Sequence, residues 1–119
     1  MSAGKHNITI DQGATFSMRM TVKDNGSVMD LTSPQYAARG QLRLTKENST
    51  AVNFVCQGSG GGALLSDGII DVSLTAAATD DIAAGRYVYD IEIFTGTGND
   101  GIVTRLLQGS AEVTREITR

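Results

Sequence analysis

Few side chains in this sequence could carry chemistry, and their spacing does not gather them. His6 is the only histidine. A histidine-based triad or zinc site needs partner residues of kinds this chain does not supply. Cys56, the only cysteine, falls in step with Val52 and Phe54. That phase places it in a core, and no basic neighbour is present to lower its pKa and make a reactive thiol. The glycine run from Gly58 to Gly62 resembles a phosphate-binding loop only in composition, because no Gly-Lys-Ser/Thr follows it. The acids Asp80 and Asp81, and Asp100 beside Asn99, lack the spaced oxygens of a calcium loop and read as solvated turn residues. The expectation is no catalytic residue, no metal ligand and no cofactor.

Two other groups of residues invite a role. Asp90 and Glu92 share the polar face of one segment, with Arg105 placed to lie opposite across a hairpin. Such a cross-strand ion pair contributes at most ~1 kcal/mol. Tyr36, Tyr87 and Tyr89 sit on apolar phases and read as core, with the Tyr87 hydroxyl placed to reach the preceding loop. Exposure of Tyr36 or Phe94 beside a groove would instead favour a carbohydrate platform.

The elements that position these residues are strands. Residues 86–94 place Tyr87, Tyr89, Ile91 and Ile93 on one face and Arg86, Asp90 and Glu92 on the other. This alternation predicts a half-buried strand, because successive strand side chains point to opposite faces. Residues 102–107 return antiparallel, and 111–117 form a further strand. Upstream, Ile8 and Ile10 mark a short strand, followed by Phe16, Met18, Met20 and Val22 on one face of the next. Asn25-Gly26 is a hairpin turn signal. Residues 36–44 alternate around Gly40, which implies a bulge or a close backbone approach. Strands follow at 51–56 and 70–74. Residues 76–84 carry the only helical signal and predict a short crossover ended by Gly85.

Turns about every ten residues, seven to nine strands and one crossover predict an all-β, antiparallel β-sandwich of immunoglobulin-like architecture, with an up-and-down barrel as the alternative. The expected core is Ile8, Phe16, Met18, Met20, Leu42, Leu44, Phe54, Val72, Tyr87, Tyr89, Ile91 and Val113. One domain over 1–119 is expected, with 1–5 and the glycine loop 58–62 flexible. The chain is 119 residues long, which suffices for a self-contained core. A net charge of −3 with basic residues scattered singly argues against nucleic acid as partner. No apolar run approaches a signal sequence or membrane span. A lone cysteine excludes an intramolecular disulfide and suits synthesis in a reducing cytosol.

Three blocks carry a resemblance. They are Asn7-Ile-Thr-Ile-Asp-Gln-Gly-Ala-Thr-Phe16, then Met29-Asp-Leu-Thr32 with Ala37-Ala-Arg-Gly-Gln-Leu-Arg43, and finally Ala83-Ala-Gly-Arg-Tyr-Val-Tyr-Asp-Ile-Glu-Ile93 with the segments that follow it. In that order they resemble small β-sandwich structural proteins of tailed bacteriophages, similar to the N-terminal domain of baseplate upper proteins. The resemblance implies a non-catalytic virion component, a tail or baseplate adaptor acting through protein–protein contacts, with capsid decoration or a small carbohydrate-binding module as alternatives. It implies other virion proteins as partners, a homo-oligomer in the assembled particle, and localisation in the virion. With the sequence ending at Arg119, directly after its last strand, the expectation is a stand-alone adaptor, baseplate component or capsid decoration in place of a direct receptor-binding role. Candidate partner contacts are Glu112, Arg115 and Glu116, on a last strand expected at a sheet edge, where the same charges would equally serve to protect that edge from pairing.

Overall fold

The computed structural model describes residues 4–32, 34–44, 51–96 and 101–117. The chain is mostly β, with several sheets and one short helix. The strands are β1 (Gly4–Lys5), β2 (Ile8–Asp11), β3 (Phe16–Thr21), β4 (Lys23–Asp24), β5 (Ser27–Val28), β6 (Ala37–Arg43), β7 (Ala51–Asn53), β8 (Val55–Gln57), β9 (Ile69–Leu74), β10 (Gly85–Phe94) and β11 (Val103–Thr114), with helix α1 (Ala76–Asp80) before β10. A six-stranded sheet runs β1-β11-β10-β6-β7, with β2 also on β11. A three-stranded sheet runs β3-β9-β8, and β4-β5 is a separate hairpin.

Apolar residues at every second position bury one face of each sheet. Ile10, Leu42, Tyr89, Ile91, Ile93, Ala111 and Val113 from the larger sheet join Ile70, Val72 and Leu74 from the smaller one in a single cluster. The Asn25-Gly26 turn closes the β4–β5 hairpin with both residues at positive φ (52° and 83°), the backbone a two-residue hairpin loop requires. Gly40 meets the expectation of a close approach: a Cβ there would lie against Ile91 Cδ1, 2.9 Å from the Asp90 carbonyl oxygen and 3.2 Å from Phe54 Cδ2.

Several expectations are corrected. Residues 51–56 do not form one strand. The chain breaks at buried Phe54, whose N–H donates to the Gly40 carbonyl oxygen, and β7 and β8 belong to different sheets. The expected strands 102–107 and 111–117 are one strand, β11. Gly109 is therefore not a turn glycine: it faces Tyr89, and a Cβ on it would collide with the His6 carbonyl. A bulge sits in β11 between its pairings at Arg105 and Leu107, which turns Leu106 into the core. Short strands and the break at Phe54 raise the count among the described residues to eleven, above the expected seven to nine, and β1 and β2 lie parallel to β11, so the larger sheet is mixed.

Helix α1 ends at Asp80, four residues before the expected limit, because buried Ile82 must turn inward. Thr75 caps it, its hydroxyl accepting from the Ala78 N–H at 3.1 Å. Leu44 is 54% exposed, one residue past the end of β6, so it is not core. Phe16, Met18, Met20 and Tyr87 are only half-buried against the core, while Ile8, Leu42, Phe54, Val72, Tyr89, Ile91 and Val113 are buried as expected. Gly4 and Lys5, expected to be flexible, pair with Leu107 and Gln108. The glycine loop closes on itself through Gly58 N–H to the Gly62 carbonyl and Gly61 N–H to the Gly58 carbonyl. Residues 1–3, the turn expected at 46–49, and Asn99 with Asp100 lie outside the described residues.

Candidate interaction surface

The side chains with chemical character collect on the outer face of the six-stranded sheet. The register of β10 with β6 and β11 places Arg39 opposite Glu92, and Gln41 and Gln108 on either side of Asp90. Ion pairs cross the face. Arg39 Nε donates to Glu92 Oε1, and the Arg39 guanidinium also lies 4.5 Å from the centre of the Phe94 ring. Arg105 Nε stands 3.4 Å from Asp90 Oδ2, the cross-strand pair the sequence suggested. Arg43 Nη2 donates to Gln41 Oε1 at 2.8 Å, and Gln41 Nε2 donates to Asn53 Oδ1 at 3.0 Å. Lys5 completes the rim beside Gln108. Apart from Phe94 and Asn53, these residues line a shallow groove of about 820 Å³.

The electrostatics of the face are uneven. Burial raises the Asp90 carboxyl above its ordinary value, and Glu92 adds to this, while Arg105 partly offsets it. Its ionised form is therefore disfavoured in the folded state. The cost is present above the raised pKa and disappears as pH falls through it. Asp67 and Asp71, which lie away from this face, before and on β9 of the three-stranded sheet, behave oppositely. The Ser59 hydroxyl and the Ile69 N–H lower Asp67, and Arg19 lowers Asp71. Their stabilisation is present above the unfolded carboxylate value and is lost as pH falls through the lowered one. Asp90→Asn is thus expected to gain most over wild type at neutral pH. The gain should shrink on acidification through the carboxylate range, as followed by melting temperature against pH. A gap that widens in acid would contradict this sign.

The other residues singled out from the sequence are scattered. The Tyr87 hydroxyl donates to the Ala83 carbonyl oxygen at 2.7 Å, as its position suggested. The Tyr89 hydroxyl donates to the His6 carbonyl oxygen at 2.5 Å, and burial pushes its pKa up to about 12. His6 thus contributes its backbone, where the chain passes from β1 to β2. Cys56 is half-buried and burial raises its thiol to about 11. Tyr36 is buried, and Phe94 is half-buried with Arg39 over its ring.

The expected edge at 111–117 is not an edge. Residues 111–113 are flanked by β10 on one side and β2 on the other, and the strand stops at Thr114, which pairs with β2. Glu112 is exposed on the outer face opposite Arg86, and Arg115 is exposed beyond the strand. Glu116 turns back instead. Its N–H donates to Gln12 Oε1 at 3.1 Å and its carboxylate packs over Gly13. The three do not form one patch. Sequence reasoning missed Lys5 and did not connect Arg39, Gln41 and Arg43 with Asp90, because that proximity depends on β6 lying beside β10.

Among the described residues, no group of three His, Cys, Asp or Glu side chains is placed to hold a metal ion, and no helix is long and apolar enough to cross a membrane. No protein-family model and no curated protein matches the chain.

Proposed function

We propose that the chain is a non-catalytic, immunoglobulin-like β-sandwich that works through protein–protein contacts as a tail or baseplate component of a tailed bacteriophage. The observation that carries a contact role is the outer face of the six-stranded sheet, where Arg39, Glu92, Asp90 and Arg105 are held in fixed ion pairs around a shallow groove. Pre-ordered charges lower the entropy that a partner must overcome and fix its orientation. The sandwich reading is supported by the strand order, β11-β10-β6-β7 and β3-β9-β8, with β2 parallel on β11 and a helical crossover from β9 to β10. The Tyr87 hydroxyl bonded to the loop four residues upstream supports it further. The phage reading rests on the sequence resemblance of the three blocks.

Mass spectrometry of purified particles from phage carrying this gene tests the proposal. The chain is expected in stoichiometric amounts, and its complete absence from particles would refute a virion role. Arg39→Glu with Arg105→Glu should reduce incorporation while leaving the circular-dichroism spectrum β-rich. Full incorporation of that variant would move the contact away from this face.

A further inference from the structure

Strand β3 is the longest strand with one whole side unpaired among the described residues, since it pairs with β9 alone. The other end strands are shorter: β7 and β8 have three residues each and β2 has four. The Val22 N–H donates to the Gly68 carbonyl oxygen at 2.7 Å, one step beyond the Thr21–Ile69 pairing. Antiparallel ladders alternate, so Met20, Met18 and Phe16 turn their backbone groups toward β9. Ser17, Arg19 and Thr21 therefore turn theirs to the open side.

This edge lacks the usual protection. It contains no proline, its register with β9 is unbroken, and its one charged residue is neutralised in place. Arg19 donates to Asp71 through Nε at 2.7 Å and Nη2 at 3.0 Å. Its inward row, Phe16, Met18 and Met20, stays half-exposed because no strand lies beyond it.

We propose that β3 pairs antiparallel with β3 of a second copy about a two-fold axis at Met18, joining the two small sheets into one. The register follows from charge and shape. Only odd residues face the edge, so odd must pair with odd. Centring on Arg19 would set two arginines opposite each other, which is unfavourable. Centring on Met18 sets Arg19 opposite the partner's Ser17, and Phe16 opposite the partner's Met20, an aromatic–sulfur contact. With each Arg19 already matched by Asp71, the paired edge is balanced in charge, which suits a copy of itself. The isologous contact closes as a dimer. It stands or falls independently of the phage reading.

Sedimentation velocity of the full chain across a wide concentration range tests it, with a species of twice the 12.5 kDa chain mass expected. Ser17→Pro removes an N–H that points outward and spares the bonds to β9, so it should return the chain to monomer, with a melting temperature that no longer rises with protein concentration. Met18→Cys in a Cys56→Ala background should cross-link on mild oxidation, because residues on the axis of a non-hydrogen-bonded pair have Cα atoms ~4.5 Å apart, within disulfide range. Thr21→Cys in the same background should not. A monomer at every concentration overturns the proposal. So does a dimer that survives Ser17→Pro or fails to cross-link through the cysteine at 18.

Discussion

Ile91→Ala should lower the unfolding free energy by about 2–5 kcal/mol, the range for emptying a fully buried aliphatic site. Ile91 is 0% exposed on β10, between β6 and β11, and its Cδ1 fills the space left by Gly40. The surrounding backbone is tied into ladders on both sides, so the cavity cannot collapse easily. For a domain of this size the melting temperature should fall by on the order of 10 °C. Urea unfolding with an unchanged m-value would confirm that stability, and not the unfolded ensemble, has changed. Phe16→Ala makes the comparison. Its ring touches Phe54, with centroids 6.1 Å apart, but remains half-exposed at the β3 edge, so its loss should be clearly smaller. An equal or larger effect from Phe16 would mean that the core is centred elsewhere.

Gly40→Ala is expected to cost about 1–3 kcal/mol through overpacking, although it adds a single methyl group. The new carbon would meet the Asp90 carbonyl at 2.9 Å, a backbone atom held in the β10–β6 ladder, as well as Ile91 Cδ1. The double variant Gly40→Ala/Ile91→Val relieves the side-chain clash and leaves the carbonyl clash, so it should recover only part of the loss relative to Ile91→Val alone. Gly60→Ala is the control, with nothing within 4 Å of the added carbon. Thermal melts of the four variants decide the matter. A neutral Gly40→Ala would show that β6 and β10 can move apart.

Local alternation was a sound guide wherever a strand has one buried and one wet face. Tyr89, Ile91 and Ile93 read correctly as core, and Asp90 as a partner of Arg105, because hairpin neighbours stay neighbours. The Asn25-Gly26 turn and the Thr75 cap were legible for the same reason: each is a contact within a few residues. Thr79 was not legible. It is fully buried, its hydroxyl donating to the Ala14 carbonyl oxygen at 2.8 Å and accepting from the Gly13 N–H at 3.1 Å, from segments 65 and 66 residues away. Nothing in its neighbourhood of small residues announces such a partner.

What the sequence by itself determined is the β class, most of the buried row on each long strand and the hairpin turns, since these follow from period-two burial and short-range backbone chemistry. Tertiary structure alone decided the rest. It parts residues 51–57 at Phe54 so that the chain changes sheets, and it sets Gly109 beneath the His6 carbonyl, in a stretch that the sequence left between two expected strands. It covers residues 111–114 with β2, leaving β3 as the longest open edge among the described residues, and it brings Arg39 and Arg43 from β6 beside Asp90 and Glu92 on β10. Periodicity specifies which face of a strand is buried. Which strand lies beside which depends on long-range packing free energy, and alternation carries no record of it.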